Sequence, residues 1–316
     1  MKLAITKIAQ LVIVLFLVSI GTFSLTALMP GDPAVAILGP DQPPEAYIAL
    51  RKELGLDQPV LIRYFTWLGN ALQGDLGNSL VTPYRSVSEL VGNAFVVSLE
   101  LAVLGLLIAL VISIPLAMLS ARRPGGLVDR TVGALTFALL SVPSFVAGLI
   151  LIAVLVNQLH LFPRTQWVPI TVDPIENLYH AALPAFIIAL AEIPTFTRVL
   201  RGDLVSTLQE DFVLSARAKG MPAWRIMIFD AFRPSSYSLI TVVGLVLASL
   251  IGSTVIVETL FSLPGMGSLI VGSAYNGNVT VIQGAVLVIA VCYVLINTGV
   301  DLLYSAIDPR IRRAAA

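Results

Sequence analysis

The sequence predicts an all-α integral membrane protein with six transmembrane helices and both termini in the cytoplasm. Three observations lead there. The chain is 57% hydrophobic and 12% charged, with a mean hydropathy of +0.91, whereas soluble domains reach about 45–50% apolar even with glycine counted. Six runs approach the roughly 20 apolar residues a helix needs to cross a bilayer core. The lysines and arginines gather in alternate loops, as expected of a multi-pass chain. The formal net charge of zero says nothing about partners, because it sums segregated patches.

The first span, Ile8–Met29, carries no charged residue. Lys2 and Lys7 before it would also suit a signal peptide, but the apolar run exceeds the usual 7–15 residues and no clear Ala-x-Ala site follows. It therefore reads as a retained span. Residues 30–95 form an extracytoplasmic insertion that carries Asp32, Asp41, Glu45, Glu53, Asp57, Asp75 and Glu89, with aromatic residues among them. Amphipathic helices are expected at 45–54 and 59–72. The insertion is too small to be an independent catalytic domain.

The second span, Val96–Leu119, holds Glu100 near one end and Pro115 near the other. The third, Thr131–Leu159, is uncharged but interrupted by Ser141-Val-Pro-Ser144, where Pro143 is expected to kink the helix. The fourth, Ala181–Thr197, is the weakest, because it contains Pro184, Glu192 and Pro194. A polar segment, 198–238, precedes the fifth span, Leu239–Val257. The glycine-rich stretch Glu258–Asn278 is expected to be a loop, with Gly265-Met-Gly267 as a plain turn. The sixth span is Val279–Val300, and the chain 1–316 reads as one transmembrane domain.

Charge sets the orientation. With the N-terminus inside, the inner segments hold Lys2 and Lys7; Arg122, Arg123 and Arg130; Arg198, Arg201, Arg217, Lys219, Arg225 and Arg233; and Arg310, Arg312 and Arg313. The short outer loops hold only Arg164. The remaining basic residues, Arg51, Lys52, Arg63 and Arg85, sit in the long insertion, whose charges weigh little. The expectation is N-in/C-in, with 198–238 in the cytoplasm.

Within that segment, Thr207–Pro222 reads as a short polar helix with defined ends. Thr207 and Glu210 have the spacing of a capping box. Glu210 and Asp211 fall in the first turn and Arg217 and Lys219 in the last, each where the helix dipole favours its charge. Gly220 suits the left-handed residue after the helix, and Pro222 forbids simple continuation. A second helical run, Ala223–Phe232, follows. A stiff helix–elbow–helix on the water side suits being held by another protein, and the small Ala216 and Ala218 permit close approach.

Several chemistries are excluded. The lysines are Lys2, Lys7, Lys52 and Lys219; none follows a glycine, so there is no Gly-Lys-Ser/Thr for a nucleotide-hydrolysing P-loop. The single cysteine, Cys292, lies in an apolar run, so no disulfide framework or thiolate metal site exists. His160 and His180 flank an outer loop and do not form a ligand pair; no zinc-binding cluster is present. Neither histidine has a route to Ser144 as a base. The chain reads as no enzyme, and nothing suggests nucleic-acid binding.

The segment 207–222 resembles the coupling loop of ATP-binding-cassette importer permeases, and is most similar to the dipeptide/oligopeptide/nickel branch. Ser215-Ala-Arg-Ala-Lys-Gly220 is nearly the form that branch uses, and Arg198-x-x-Arg201 upstream also fits. The resemblance continues through Pro-Gly-Asp-Pro at 30–33, Gly-Leu-Asp-Gln-Pro at 55–59, Gly-Asp-Leu-Gly-Asn-Ser at 74–79 and Ser-Val-Pro-Ser-Phe at 141–145. It runs on through Val-Glu-Thr-Leu-Phe-Ser-Leu-Pro-Gly-Met-Gly at 257–267 to Asp-Pro-Arg-Ile-Arg at 308–312. Each motif is weak alone; their order over almost the whole chain is specific. The long insertion resembles the B-type member of the permease pair. The chain departs from the family pattern at Asp230, where a histidine is usual, at Pro234, where asparagine is common, and at Tyr237-Ser238, where Leu-Pro is expected.

The resemblance implies a type I importer-like permease fold in a bacterial inner membrane, forming half of a translocation pathway for peptides. The implied partners are a second, homologous permease, two ATP-binding-cassette ATPase subunits and an extracytoplasmic substrate-binding protein, all in contact with the lipid bilayer or with one another. ATP and magnesium would be bound by the ATPases, and no cofactor by this chain. The residues implied to couple to the ATPase are Glu210, Asp211, Ser215, Ala216, Arg217, Ala218, Lys219, Gly220, Met221 and Pro222. Candidate pathway residues are Glu192, Pro143, Ser144 and Glu258. A mid-span charge is costly unless it pairs or faces water, so Glu192 is either a pore-facing carboxylate for a peptide amino terminus or a structural group. Glu100 and Glu258 also suit the outer boundary. A self-contained secondary transporter remains an alternative, as do nickel chelates, opines or glycosides as cargo.

Overall fold

In the computed structural model the described residues are 2–28, 33–39, 41–53, 55–81, 84–164 and 166–307. Pro30, Gly31 and Asp32 of the first motif, and the Asp-Pro-Arg-Ile-Arg ending, lie outside them. Among the described residues the regular elements are all helices, with no strand; the pair Asn78 and Ser86 makes one isolated antiparallel bridge. Four helices are individually long and apolar enough to cross a membrane: Val87–Ala121, Pro174–Thr207, Ala223–Ser253 and Val279–Val300. Two interrupted pairs, Leu127–Ser141 with Ser144–Gln158 and Val255–Phe261 with Met266–Tyr275, could bring the number to six, and Ala9–Ser24 is a shorter apolar helix.

The chain divides into two compact units. The first comprises Met1–Ser98, Ile251–Val255 and Pro264–Thr298. It contains α1 (Lys2–Leu28), α2 (Pro33–Leu38), α3 (Pro44–Glu53) and α4 (Val60–Leu72). α4 docks on α1 through Tyr64, which is 2.7 Å from the Ser19 hydroxyl and edge-on to Phe23. Leu76, Val87, Val91, Ala94, Met266, Val281 and Ala285 form this unit's core. Asn278 ties the loop around Ser79 to it, donating to Ser79 Oγ at 2.7 Å and accepting from the Leu80 amide at 3.2 Å.

The loop reading of Glu258–Asn278 is corrected by the structure. Much of that stretch is helical: α12 is Val255–Leu260 and α13 is Met266–Tyr275. Gly265 and Gly267 do not make a plain turn. Gly265 is the extended residue before α13. Gly267 is inside α13, where a Cβ would stand 2.5 Å from the Val255 Cα. The glycine there serves close backbone approach, which a composition-based turn rule does not distinguish from a bend.

The second unit comprises Leu99–Leu250, Ile256–Leu263 and Gly299–Ala316. The long helix α5, Val87–Ala121, enters it from the first. α6 (Leu127–Ser141) and α7 (Ser144–Leu151, continuing as a π-helix to Gln158) follow. α8, Pro174–Thr207, is capped by Asp173, whose Oδ1 accepts from the amides of Ile175 at 2.9 Å and Glu176 at 3.1 Å. α9 (Asp211–Ala218) and α10 (Ala223–Arg225) come next; α10 passes through a π-helical stretch, Ile226–Ala231, into α11 (Phe232–Ser253). The last helix, α14, is Val279–Ile307; it belongs to the first unit as far as Thr298 and to the second from Gly299. The core of this unit runs from Leu106 and Ala109 on α5 through Phe196, Leu200 and Leu204 on α8 to Met227 and Leu239.

Several helix limits differ from the apolar runs. α8 continues ten residues beyond Thr197 to Thr207, because Leu200 and Leu204 are fully buried and the intervening polar residues sustain a helix. The helix read as the fifth span starts with Ala223 and ends at Ser253.

Candidate functional site

The predicted coupling segment stands between two long helices with almost no slack. After Thr207 the chain turns in three residues, with Leu208, Gln209 and Glu210 donating to the carbonyls of Leu204, Ser206 and Thr207. The capping-box reading is corrected here. Thr207 ends α8 and is hydrogen-bonded with Ser235 of α11 at 2.9 Å, so it does not cap the next helix. Glu210 takes the N-cap position of α9 in an extended conformation, with no side-chain hydrogen bond. Asp211 and Arg217 lie in the first and last turns of α9, each favourable to the helix dipole.

The far end of α9 is a Schellman turn. Gly220 has φ +77°, its amide donates to the Arg217 carbonyl at 2.9 Å, and the Met221 amide donates to Ala216 at 3.2 Å. That pair of bonds satisfies two carbonyls the helix end would otherwise leave open. Pro222 is extended and starts α10, its carbonyl accepting from Arg225 and Ile226. Of α9 only Val213 is fully buried. Asp211, Ser215, Arg217, Ala218, Lys219 and Gly220 are exposed, Ala216 and Met221 half-buried. Phe212 and Leu214 also face outward. A cavity of about 170 Å³ beneath the segment is lined by Arg122, Leu208, Arg217, Met221, Ala223, Ile226 and Met227.

One ion pair braces this arrangement. Asp129, on the first turn of α6 and 9% exposed, receives a bidentate guanidinium from Arg201 of α8: Nε to Oδ1 at 2.5 Å and Nη2 to Oδ2 at 2.6 Å. Ser120 Oγ, at the end of α5, donates to Oδ1 at 2.5 Å, and the Gly125 amide to Oδ2 at 2.7 Å. Asp129 stands in the first turn of α6 and Arg201 six residues before the end of α8. Sequence reasoning passed over Asp129, whose partner is 72 residues away.

The second feature is a cleft of about 530 Å³, lined by Leu139, Leu140, Val142, Pro143, Ser144, Ala147, Ile150, Leu151, Phe186, Leu190 and Ala191. Its floor is the junction of α6 with α7. The expected kink is a full break: the two helices meet at 95°. Val142 is extended, at φ −100° and ψ 118°, as the residue before a proline prefers. The last turn of α6 has carbonyls without intrahelical donors, and Pro143 has no amide to offer. Non-helical backbone at membrane depth is tolerated only against protein or water. This face therefore needs a polar or protein neighbour.

Of the candidate pathway residues, Pro143 and Ser144 line the cleft. Glu192 does not, although its neighbour Ala191 does; the carboxylate is half-buried and forms no hydrogen bond or ion pair among the described residues. Glu258 is fully buried on α12 and also lies outside the cleft lining. His180 is paired with Glu176 at 3.2 Å. Among the described residues no group of His, Cys, Asp and Glu could hold a metal ion.

Comparison with known proteins identifies the family. The family description "Binding-protein-dependent transport system inner membrane component" matches residues 113–313, and its N-terminal companion matches residues 1–86. A putative peptide transport system permease protein of Brucella abortus is 34% identical over 310 residues, covering 98% of each chain. The oligopeptide transport system permease protein AppB of Bacillus subtilis is 35% identical over 296 residues, covering 93% of this chain and 94% of its own. A probable peptide ABC transporter permease protein of Sinorhizobium fredii is 33% identical over 306 residues, covering 97% of each.

Proposed function

This chain belongs to the family of inner-membrane components of binding-protein-dependent transport systems, and from that membership we propose that it forms half of the translocation pathway of an ATP-driven peptide importer. The other half is a second, homologous permease. Two separate ATPase subunits, which bind ATP and magnesium, each grip one permease, and a binding protein delivers cargo from the outer side. The peptide assignment is supported by three relatives that are named as peptide or oligopeptide permeases.

The observation that carries this reading is α9. It is short and outward-facing, held by one buried residue, Val213. A tight turn fixes one end and the Gly220 Schellman turn the other. A lever needs such fixed exit angles. In this reading Asp211, Ser215, Arg217, Ala218 and Lys219 meet the ATPase from the cytoplasm, and nucleotide-driven closure of the ATPase pair moves α9 and the helices attached to it. The cleft at Val142–Pro143 supplies part of the cargo path. Its lining is apolar apart from Ser144, which suits apolar peptide side chains. Glu192 is the carboxylate nearest to it along α8 and is assigned to the peptide amino terminus.

The test is reconstitution in liposomes. Permease pair, ATPases and binding protein together should accumulate peptide only when ATP is supplied. Accumulation by this chain alone, driven by an ion gradient, would sink the reading.

A further inference from the structure

The Arg198-x-x-Arg201 motif has a geometric role that the resemblance does not supply. Both arginines leave α8 one turn apart, and both end on α6. Arg201 holds Asp129 with two hydrogen bonds. Arg198 places its guanidinium carbon 5.3 Å from the centroid of the Phe137 ring, within the range of a cation–π contact. The two contacts engage α6 at points eight residues, or about 12 Å, apart along its axis. Two attachments at different heights fix a helix against both sliding and swivelling, where a single one would leave a pivot.

The position of the clamp gives it consequence. Arg201 stands about 9 Å of helix before the end of α8. The three-residue turn to α9 is hydrogen-bonded throughout, so little motion can be absorbed between them. On the other side, α6 runs from Asp129 to Ser141, where the 95° break forms the cleft floor. Asp129 is further pinned by Ser120 and the Gly125 amide, so the apex between α5 and α6 travels with it. Arg198, Arg201, Asp129 and Phe137 thus connect the lever to the one irregular backbone segment of the cleft.

We propose that Arg198 and Arg201 clamp α6 to the arm that carries α9, so that displacement of α9 moves the Val142–Pro143 break directly. The four residues are positioning residues; none touches cargo or nucleotide. The proposal rests on the importer reading above. It assigns the opening and closing of the cleft to α6 as a rigid rod, with the break acting as its hinge.

The experiment compares variants in the complete importer, reconstituted with its partner permease, ATPases and binding protein. ATP hydrolysis and peptide uptake are measured on the same vesicles. Asp129→Asn removes the ion pair while keeping the side-chain shape. Hydrolysis stimulated by loaded binding protein should stay within about twofold of wild type, while peptide moved per ATP should fall about tenfold, inside the 5–150-fold span usual for coupled sites. Arg201→Lys keeps the charge but loses the fork, and should fall between. Unchanged uptake per ATP in Asp129→Asn overturns the proposal, whether hydrolysis is normal or falls in parallel with assembly. Should that variant fail to assemble, Phe137→Leu decides. It removes only the ring beneath Arg198 and should lower uptake per ATP about two- to fivefold, as a contact of about 0.5–1 kcal/mol predicts; no change there overturns the proposal equally. If wild-type vesicles move peptide without ATP, the importer reading fails first, before any variant is compared.

Discussion

Gly105 of α5 lies directly against Ile188 of α8: a Cβ in its place would stand 2.7 Å from Ile188 Cγ2 and 3.2 Å from the Ala185 carbonyl oxygen. Ala102, Ala109, Ala185 and Ala189 are also fully buried along these two helices. Small residues allow close helix approach where lipid offers no hydrophobic drive to associate. Gly105→Ala should therefore destabilise the purified protein by about 1–3 kcal/mol, the usual cost of overpacking, and Gly105→Leu should prevent recovery of a monodisperse sample. A thermal-unfolding series in detergent, read by size-exclusion fluorescence, checks both. An unshifted Gly105→Ala would mean that α5 and α8 are not in close contact there.

Gly220 separates fold from partner. Its backbone is left-handed, yet a Cβ would meet nothing within 4 Å. Gly220→Asn should be nearly neutral for stability, since asparagine accepts that conformation, and Gly220→Ala should cost about 1–2 kcal/mol locally. Gly220→Asp should insert and assemble normally but lose ATP-driven uptake. On the coupling reading proposed above, such a loss would arise at the surface met by the ATPase, since no atom of this chain lies within 4 Å of the added Cβ and aspartate tolerates the left-handed conformation. Wild-type uptake by Gly220→Asp would count heavily against the coupling role.

Pro143→Ala returns an amide to the junction of α6 with α7 and frees Val142 from its extended preference. Stability should hold or rise, while peptide uptake drops about tenfold or more, as a displaced gate would cause. Uptake and thermal shift measured on one preparation separate the two effects. Loss of both together would make the break a folding requirement.

Asp173→Ala removes the cap of α8 at the end remote from α9. It should cost about 1 kcal/mol of stability and leave uptake per ATP unchanged. Parallel thermal and transport assays test this, and a coupling defect in Asp173→Ala would show that α8 responds to disturbance along its whole length.

The long apolar helices Val87–Ala121 and Val279–Val300 and the elbow after α9 were legible because each has a local signature. Uninterrupted apolar runs mark the former; glycine followed two residues later by proline marks the latter. Thr207 misled because hydropathy and helicity end at different places: charge begins at Arg198, but Leu200 and Leu204 keep helical spacing and burial. The break at Pro143 was half-legible, since proline announces a kink but its angle depends on how α7 packs on α8. Gly148 there sits 3.4 Å from Ile187 by the position its Cβ would take. Asp129 had no signal at all. It follows a Pro-Gly-Gly turn like any surface carboxylate, and only the folded chain brings Arg201 to it. The π-helical stretches Ile152–Gln158 and Ile226–Ala231 carry no composition that would separate them from ordinary helix.

The open peptide groups beside Val142 bear on how a cell must make this subunit. On the importer reading proposed above, a copy stranded in the bilayer without a companion permease would show hydrocarbon a polar seam that lipid cannot satisfy. The steady-state amount of this chain should then follow the supply of that companion rather than its own rate of synthesis.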